Sequence, residues 1–161
     1  MEAPPPYGDD RVIDISRHAP KKDGVRFMGW KMIMLPHMGK VAAGHPIEII
    51  GFTGEGVPFP EPLLKGNKSE YFTVEIKGTS MTEAGIEDGD IAVIRKAGEP
   101  KQNKIMLVRH EGDSTLKRIK IKETKEGREV RLCWEDGSGH SVLVDDDQYE
   151  VQGEFFKIMK R

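Results

Sequence analysis

Residues Tyr71-Phe72-Thr73-Val74-Glu75-Ile76-Lys77 alternate without a break: Phe72, Val74 and Ile76 fall on one face and Thr73, Glu75 and Lys77 on the other. A period of two is the pattern of a half-buried strand, and it excludes a helix over this stretch. The alternation stops at Gly78-Thr79-Ser80-Met81, so Ser80 is expected just past a strand end. Thr82-Glu83-Ala84 then has room for one helical turn before Gly85 stops it. Such a turn is expected to aim unpaired backbone N–H groups toward the serine, where they suit an oxyanion.

The rest of the chain follows the strand pattern. Asp90 to Arg95 alternates, Ile105 to Val108 is apolar, and Glu123 to Glu129 with Gly127 reads as a hairpin turn leading into Val130 to Trp134. Val142-Leu143-Val144 and Tyr149 to Met159 supply the last strands. This succession predicts a mainly β fold, a small curved antiparallel domain, with no internal repeat.

A serine is a weak nucleophile at neutral pH and needs a base. The five histidines are poor candidates: His18 and His37 adjoin prolines, His45 follows a glycine, and His110 and His140 lie in turn-like surroundings. Lys117 is better placed. In Ser114-Thr115-Leu116-Lys117-Arg118-Ile119-Lys120-Ile121, read as a strand, it shares its face with Thr115, Ile119 and Ile121. That register implies burial, and a lysine can act as a base only when neutral; desolvation lowers its pKa from about 10.4 by up to about 3 to 5 units.

Gly78-Thr79-Ser80-Met81, Gly85-Ile86-Glu87-Asp88-Gly89-Asp90 and Leu116-Lys117-Arg118 together resemble the Ser-Lys dyad motifs of the LexA/UmuD-type self-cleaving proteins, and the interval from Ser80 to Lys117 is similar to theirs. Val41-Ala42-Ala43-Gly44-His45-Pro46 resembles the family's self-cleavage sequence. The resemblance covers about Leu35 to Ile158. It implies the LexA/signal-peptidase-like β-fold and an autocatalytic serine peptidase in which Ser80 attacks the carbonyl of Ala43, Lys117 carries the proton to Gly44, and the amides of Ser80 and Thr79 steady the oxyanion. No cofactor or metal is implied. It further implies a cytoplasmic homodimer that cuts its Ala43-Gly44 bond on a RecA filament carrying single-stranded DNA during the SOS response to DNA damage. A LexA-like repressor is one role, a UmuD-like accessory subunit of a translesion DNA polymerase a second, and a non-catalytic dimerisation domain a third.

Composition bounds the rest. The 161 residues suit one domain plus an arm. A formal net charge of −2 gives no global attraction for nucleic acid. The basic run from Lys117 to Lys125 lacks interleaved aromatics and reads as a solvated sheet face. The single cysteine, Cys133, excludes an internal disulfide and fits a reducing compartment. No apolar run approaches the roughly 18 residues of a membrane span, which separates the chain from signal peptidase.

The residues ahead of the dyad divide into an arm, 1–34, and the start of the β-domain, 35–161, whose first stretch, 35–50, is the cleavage segment. Pro4-Pro5-Pro6 and Asp9-Asp10 favour extended or disordered chain, and Pro20, Gly24 and Gly29 break any long helix. No helix-turn-helix fits before Leu35, so sequence-specific DNA binding by this chain is not expected, and the chain is either a fragment of a repressor or a protein with a short arm. Gly51 to Lys68, rich in Pro and Gly, reads as a loop that lets the cleavage segment swing toward the serine. Phe155, Phe156, Ile158 and Met159 suggest a two-fold dimer through the last strands.

Overall fold

The computed structural model describes residues 12–14, 30–42 and 56–160. They form a single ten-stranded sheet. The strands are β1 (Val12–Asp14), β2 (Met32–Ala42), β3 (Gly56–Pro60), β4 (Tyr71–Lys77), β5 (Ile91–Lys96), β6 (Ile105–His110), β7 (Asp113–Thr124), β8 (Gly127–Cys133), β9 (Ser141–Val144) and β10 (Tyr149–Lys160). Their spatial order is β3-β2-β4-β5-β10-β6-β7-β8-β9, with β1 added in parallel to the end of β10. The fold is mainly β and largely antiparallel, as the strand pattern predicts. The exceptions are β1 on β10 and β2 on β4, both parallel. Among the described residues no helix is long and apolar enough to cross a membrane.

The sheet is curved enough to bury both of its faces. On β5, Ala92 and Ile94 enter a central cluster with Val74, Ile76, Leu107 and Leu116, while Ile91 and Val93 enter a second cluster with Leu35, Phe59 and Tyr71. On β6, Ile105 and Leu107 face the central cluster, and Met106 and Val108 a third one built on Ile119, Val130 and Leu132. The alternation expected for Asp90 to Arg95 is therefore present in direction but not in exposure: Ile91 to Ile94 are all buried. A strand covered on both sides reads as a continuous apolar run.

One expectation needs correction. Within Gly51 to Lys68, taken above for a loop, Gly56–Pro60 is a strand paired antiparallel with β2, and Phe59 is wholly buried. The 3-10 turns Glu61–Leu63 and Lys68–Glu70 follow it, and Tyr71 Oη donates to the Lys65 carbonyl at 2.7 Å. Prolines misled here because an edge strand tolerates them: β3 ends the sheet, and Pro58 and Pro60 need no outward N–H partner. The apolar chain end, expected at a two-fold interface, also contributes to the core while Phe155 and Phe156 stay partly exposed. Strand β10 lies between β5 and β6, with Ile158 and Met159 buried and Phe155 and Phe156 packed against the core clusters.

The start of the domain also differs in detail from its expected boundary, since β2 begins at Met32, within the stretch read as arm, and continues through Ala42. Its register with β4 shifts between His37 and Lys40, where Gly39 has φ +92°, a value that favours glycine.

Strand β10 has one position that constrains it strongly. Gly153 faces both β5 and β6, and a Cβ there would overlap Ile94 Cγ2 and come within 2.8 Å of the Arg95 carbonyl oxygen. Backbone cannot retreat as a flexible side chain can. Gly153→Ala is expected to lower the unfolding free energy by about 2 kcal/mol or more, seen as a lower denaturant midpoint at unchanged slope.

Candidate active site

Ser80 is placed by the abrupt end of β4. Gly78, with φ +89°, turns the chain out of the strand, and its amide donates to Asp88 Oδ1 at 2.8 Å. Met81, buried in the central cluster, anchors the other side of the serine. The Gly85 to Asp90 motif closes this turn onto β4: Ile76 N–H donates to the Asp90 carbonyl and Gly89 N–H to the Ile76 carbonyl. Buried Asp90 accepts from Glu87 N–H and from Lys160 Nζ, which also donates to the Gly85 carbonyl.

Thr82–Ala84 does form a 3-10 turn, capped by Gly85 at φ +79°. Its amides, however, are taken: Thr82 donates to Thr79 O, Glu83 to Glu135 O and Ala84 to Met81 O. The expected supply of oxyanion donors from this turn is absent, because so short a turn satisfies its own N–H groups or lends them to a neighbour. The amides of Thr79 and Ser80 have no acceptor among the described residues.

Lys117 comes to Ser80 from β7. Its Nζ lies 3.0 Å from Ser80 Oγ, 2.5 Å from Thr115 Oγ1 and 3.0 Å from the Leu116 carbonyl oxygen. The side chain is only 2% exposed. Burial pushes its pKa down from the ordinary 10.5 to about 8, against the pull of the Asp136 carboxylate. The inward register expected for Lys117 is present: Lys117 and Ile119 are buried on the same face, whereas Lys120 is exposed. None of the described histidines hydrogen-bonds Ser80. His18 and His45 lie outside the described residues.

The geometry suits a neutral amine. Its two N–H bonds can serve Thr115 Oγ1 and the Leu116 carbonyl, which leaves the lone pair for the Ser80 hydroxyl proton. Sequence reasoning placed Thr115 on the right face but gave it no role. It also missed the segment after β8, which holds the serine from outside: Glu135 N–H donates to the Ser80 carbonyl at 2.8 Å, and Glu135 O accepts from Glu83 N–H at 2.7 Å. Arg118 pairs with the Glu135 carboxylate. No local pattern marks a residue whose backbone does the work.

The chain reaches this site along β2. The parallel register sets Val41 beside Ile76 and Ala42 beside Lys77, at the end of the strand that leads to Ser80. Ala43 and Gly44, the expected cleavage pair, lie outside the described residues. Beside Ser80, a pocket of only about 10 Å³ is lined by Ile76, Met81, Ile86 and Leu116 among others.

The lowered pKa has a consequence for stability. Because the folded-state value lies below the unfolded one, the unfolded chain binds more protons between about pH 8 and 10.5, and stability rises with pH across that window. Below it the buried ammonium carries its full cost. Relative to Lys117→Met, which has no such group, the parent is expected to gain about 3 kcal/mol between pH 7 and pH 10.5. Denaturant titrations of both proteins across the window test this; a constant difference would show that Lys117 keeps an ordinary pKa.

Comparison with known proteins gives the chain its relatives. The Peptidase S24-like family profile matches residues 36–156. The chain is 32% identical over 131 residues to the LexA repressor of Clostridium novyi (strain NT), covering 81% of this chain and 62% of that protein. It is 33% identical to the LexA repressor of Clostridium kluyveri (strain ATCC 8527), covering 84% and 61%, and 29% identical to that of Alcanivorax borkumensis, covering 91% and 70%. The chain thus spans about three-fifths of the length of the two clostridial relatives.

Proposed function

The chain belongs to the Peptidase S24-like family, and on that footing we propose that it is a self-cleaving serine peptidase domain that cuts its own Ala43-Gly44 bond. The observation that carries this reading is the buried Lys117 Nζ at 3.0 Å from Ser80 Oγ. Neutral Lys117 takes the Ser80 hydroxyl proton as Oγ attacks the Ala43 carbonyl carbon. The amides of Ser80 and Thr79 receive the developing oxyanion. Lys117 then gives its proton to the Gly44 nitrogen as the peptide bond breaks, and a water molecule, deprotonated by the same amine, hydrolyses the ester on Ser80.

Two features support the choice of bond. Strand β2 carries the chain to Ala42 beside the end of β4, and the pocket at Ser80 has room for about a methyl group, the size of an alanine side chain. Incubation at about pH 9 to 10 should yield fragments 1–43 and 44–161 by intact mass; a different cut, or none, would remove the assignment. Replacing Gly44 with a bulky residue should block the cut by crowding the scissile bond.

For the whole protein the reading is a LexA-like repressor of the SOS response, since the relatives above carry that name. It is a cytoplasmic dimer whose cleavage a RecA filament stimulates, and binding to that filament runs through protein surface rather than through base contacts of this chain. Cleavage near pH 7 should accelerate only when RecA, nucleotide and single-stranded DNA are all present, and acceleration without any one of them would argue against a filament partner.

A further inference from the structure

A residue outside the dyad closes off the amine. The ring of Trp134 lies over Lys117 Nζ with its centroid 4.6 Å away, in addition to the three oxygen partners of that nitrogen. A recess of about 320 Å³ reaches Lys117 from this side and is lined by Trp134, Leu132, Val142 and His140 among others, but not by Ser80. Despite the recess, Lys117 is almost fully buried, while Trp134 itself is half-buried.

The indole is held firmly. The Trp134 backbone N–H donates to the His140 carbonyl at 3.0 Å, and the His140 ring meets the indole edge-on at 4.3 Å between centroids. The next residue is Glu135, whose backbone bonds tie it to Ser80 and Glu83. One short segment therefore fixes the nucleophile with its backbone and covers the base with its side chain.

We propose that Trp134 is a positioning residue of the dyad: its indole walls the Lys117 amine off from solvent on the side of the recess, and its π face holds the amine in line with Ser80. This rests on the Ser80–Lys117 reading above. The two contributions act on the base in opposite directions. Excluding water disfavours the ammonium, whereas a π face favours it. Desolvation by burial is the leading cause of the lowered Lys117 pKa. Other titratable groups around the amine are Asp136 and His140 from the segment after β8 and His110, Glu111 and Asp113 from the end of β6 and the turn into β7; the Arg118–Glu135 pair follows on β7 and after β8. All of these stay in place in the variants below.

The test compares Trp134→Phe, Trp134→Leu and Trp134→Ala by the pH at half-maximal self-cleavage. The same changes in a Ser80→Ala background are followed by an NMR titration of the Lys117 side-chain nitrogen, assigned with Lys117→Met. Phe keeps both wall and π face, and its midpoint should stay within about 0.3 pH units of the parent. Leu keeps the wall alone, and its midpoint should fall by about half a unit. Ala admits water, so its midpoint should rise by about one unit and cleavage at pH 7 should drop about tenfold. An unchanged midpoint in a folded Ala variant would overturn the walling role, and an unchanged or raised midpoint in Leu would overturn the π-face role. Phe and Leu keep an apolar side chain over the amine and leave a smaller void than Ala, so the question stays answerable should Ala unfold. A parent that does not cut itself would remove the dyad reading, whereas the NMR titration would still show whether Trp134 governs the amine.

Discussion

Ser80→Ala is expected to abolish self-cleavage, lowering the rate by about a thousandfold or more at every pH. The proposed reaction joins this hydroxyl oxygen to the Ala43 carbonyl carbon, and among the described residues the one other hydroxyl at hydrogen-bond distance from Lys117 Nζ is that of Thr115. The loss should come without unfolding. The bonds that hold the turn are made by backbone: the Ser80 carbonyl accepts from Glu135, Gly78 N–H donates to Asp88, and Met81 supplies the buried anchor. The thermal midpoint of the variant should therefore stay close to that of the parent. Fragments 1–43 and 44–161 appearing from Ser80→Ala at the parental rate would show that another group is the nucleophile.

The second large effect concerns the base. With a pKa of about 8, roughly one Lys117 side chain in ten is neutral at pH 7, against about one in three thousand for an ordinary lysine. The rate of self-cleavage should climb close to tenfold per pH unit below pH 8 and level off above about pH 9, because the neutral amine is the active form. Lys117→Arg should be inactive at all these values, since a guanidinium with a pKa above about 12 cannot surrender its proton in this range. Its planar fork also cannot reproduce the three oxygen contacts of a compact ammonium group. A parent whose rate is flat between pH 6 and 10, or an Arg variant that follows the parental profile, would exclude a lysine base.

Much of this was legible in the residues alone. Period-two alternation is a local property, set by side chains pointing to opposite faces of one strand, and it located β4, β8, β9 and β10 to within a few residues. The same argument selected Lys117 over the lysines around it, because the side chain in step with Ile119 goes inward with it. Where local chemistry was ambiguous the reading failed. Prolines suggested a loop where an edge strand lies.

What the sequence determined by itself, then, was a strand-rich chain with a serine past a strand end and an inward-facing lysine on a later strand, since each depends on the spacing of neighbours. Tertiary structure decided the rest. Only the pairing of distant strands brings Lys117 Nζ to Ser80 Oγ, lays Ala42 beside Lys77, uses the Thr82–Ala84 amides within the turn and against Glu135, and sets the Trp134 ring over the amine. These are contacts between segments remote in the chain, fixed by register and sheet curvature, and no local spacing encodes them.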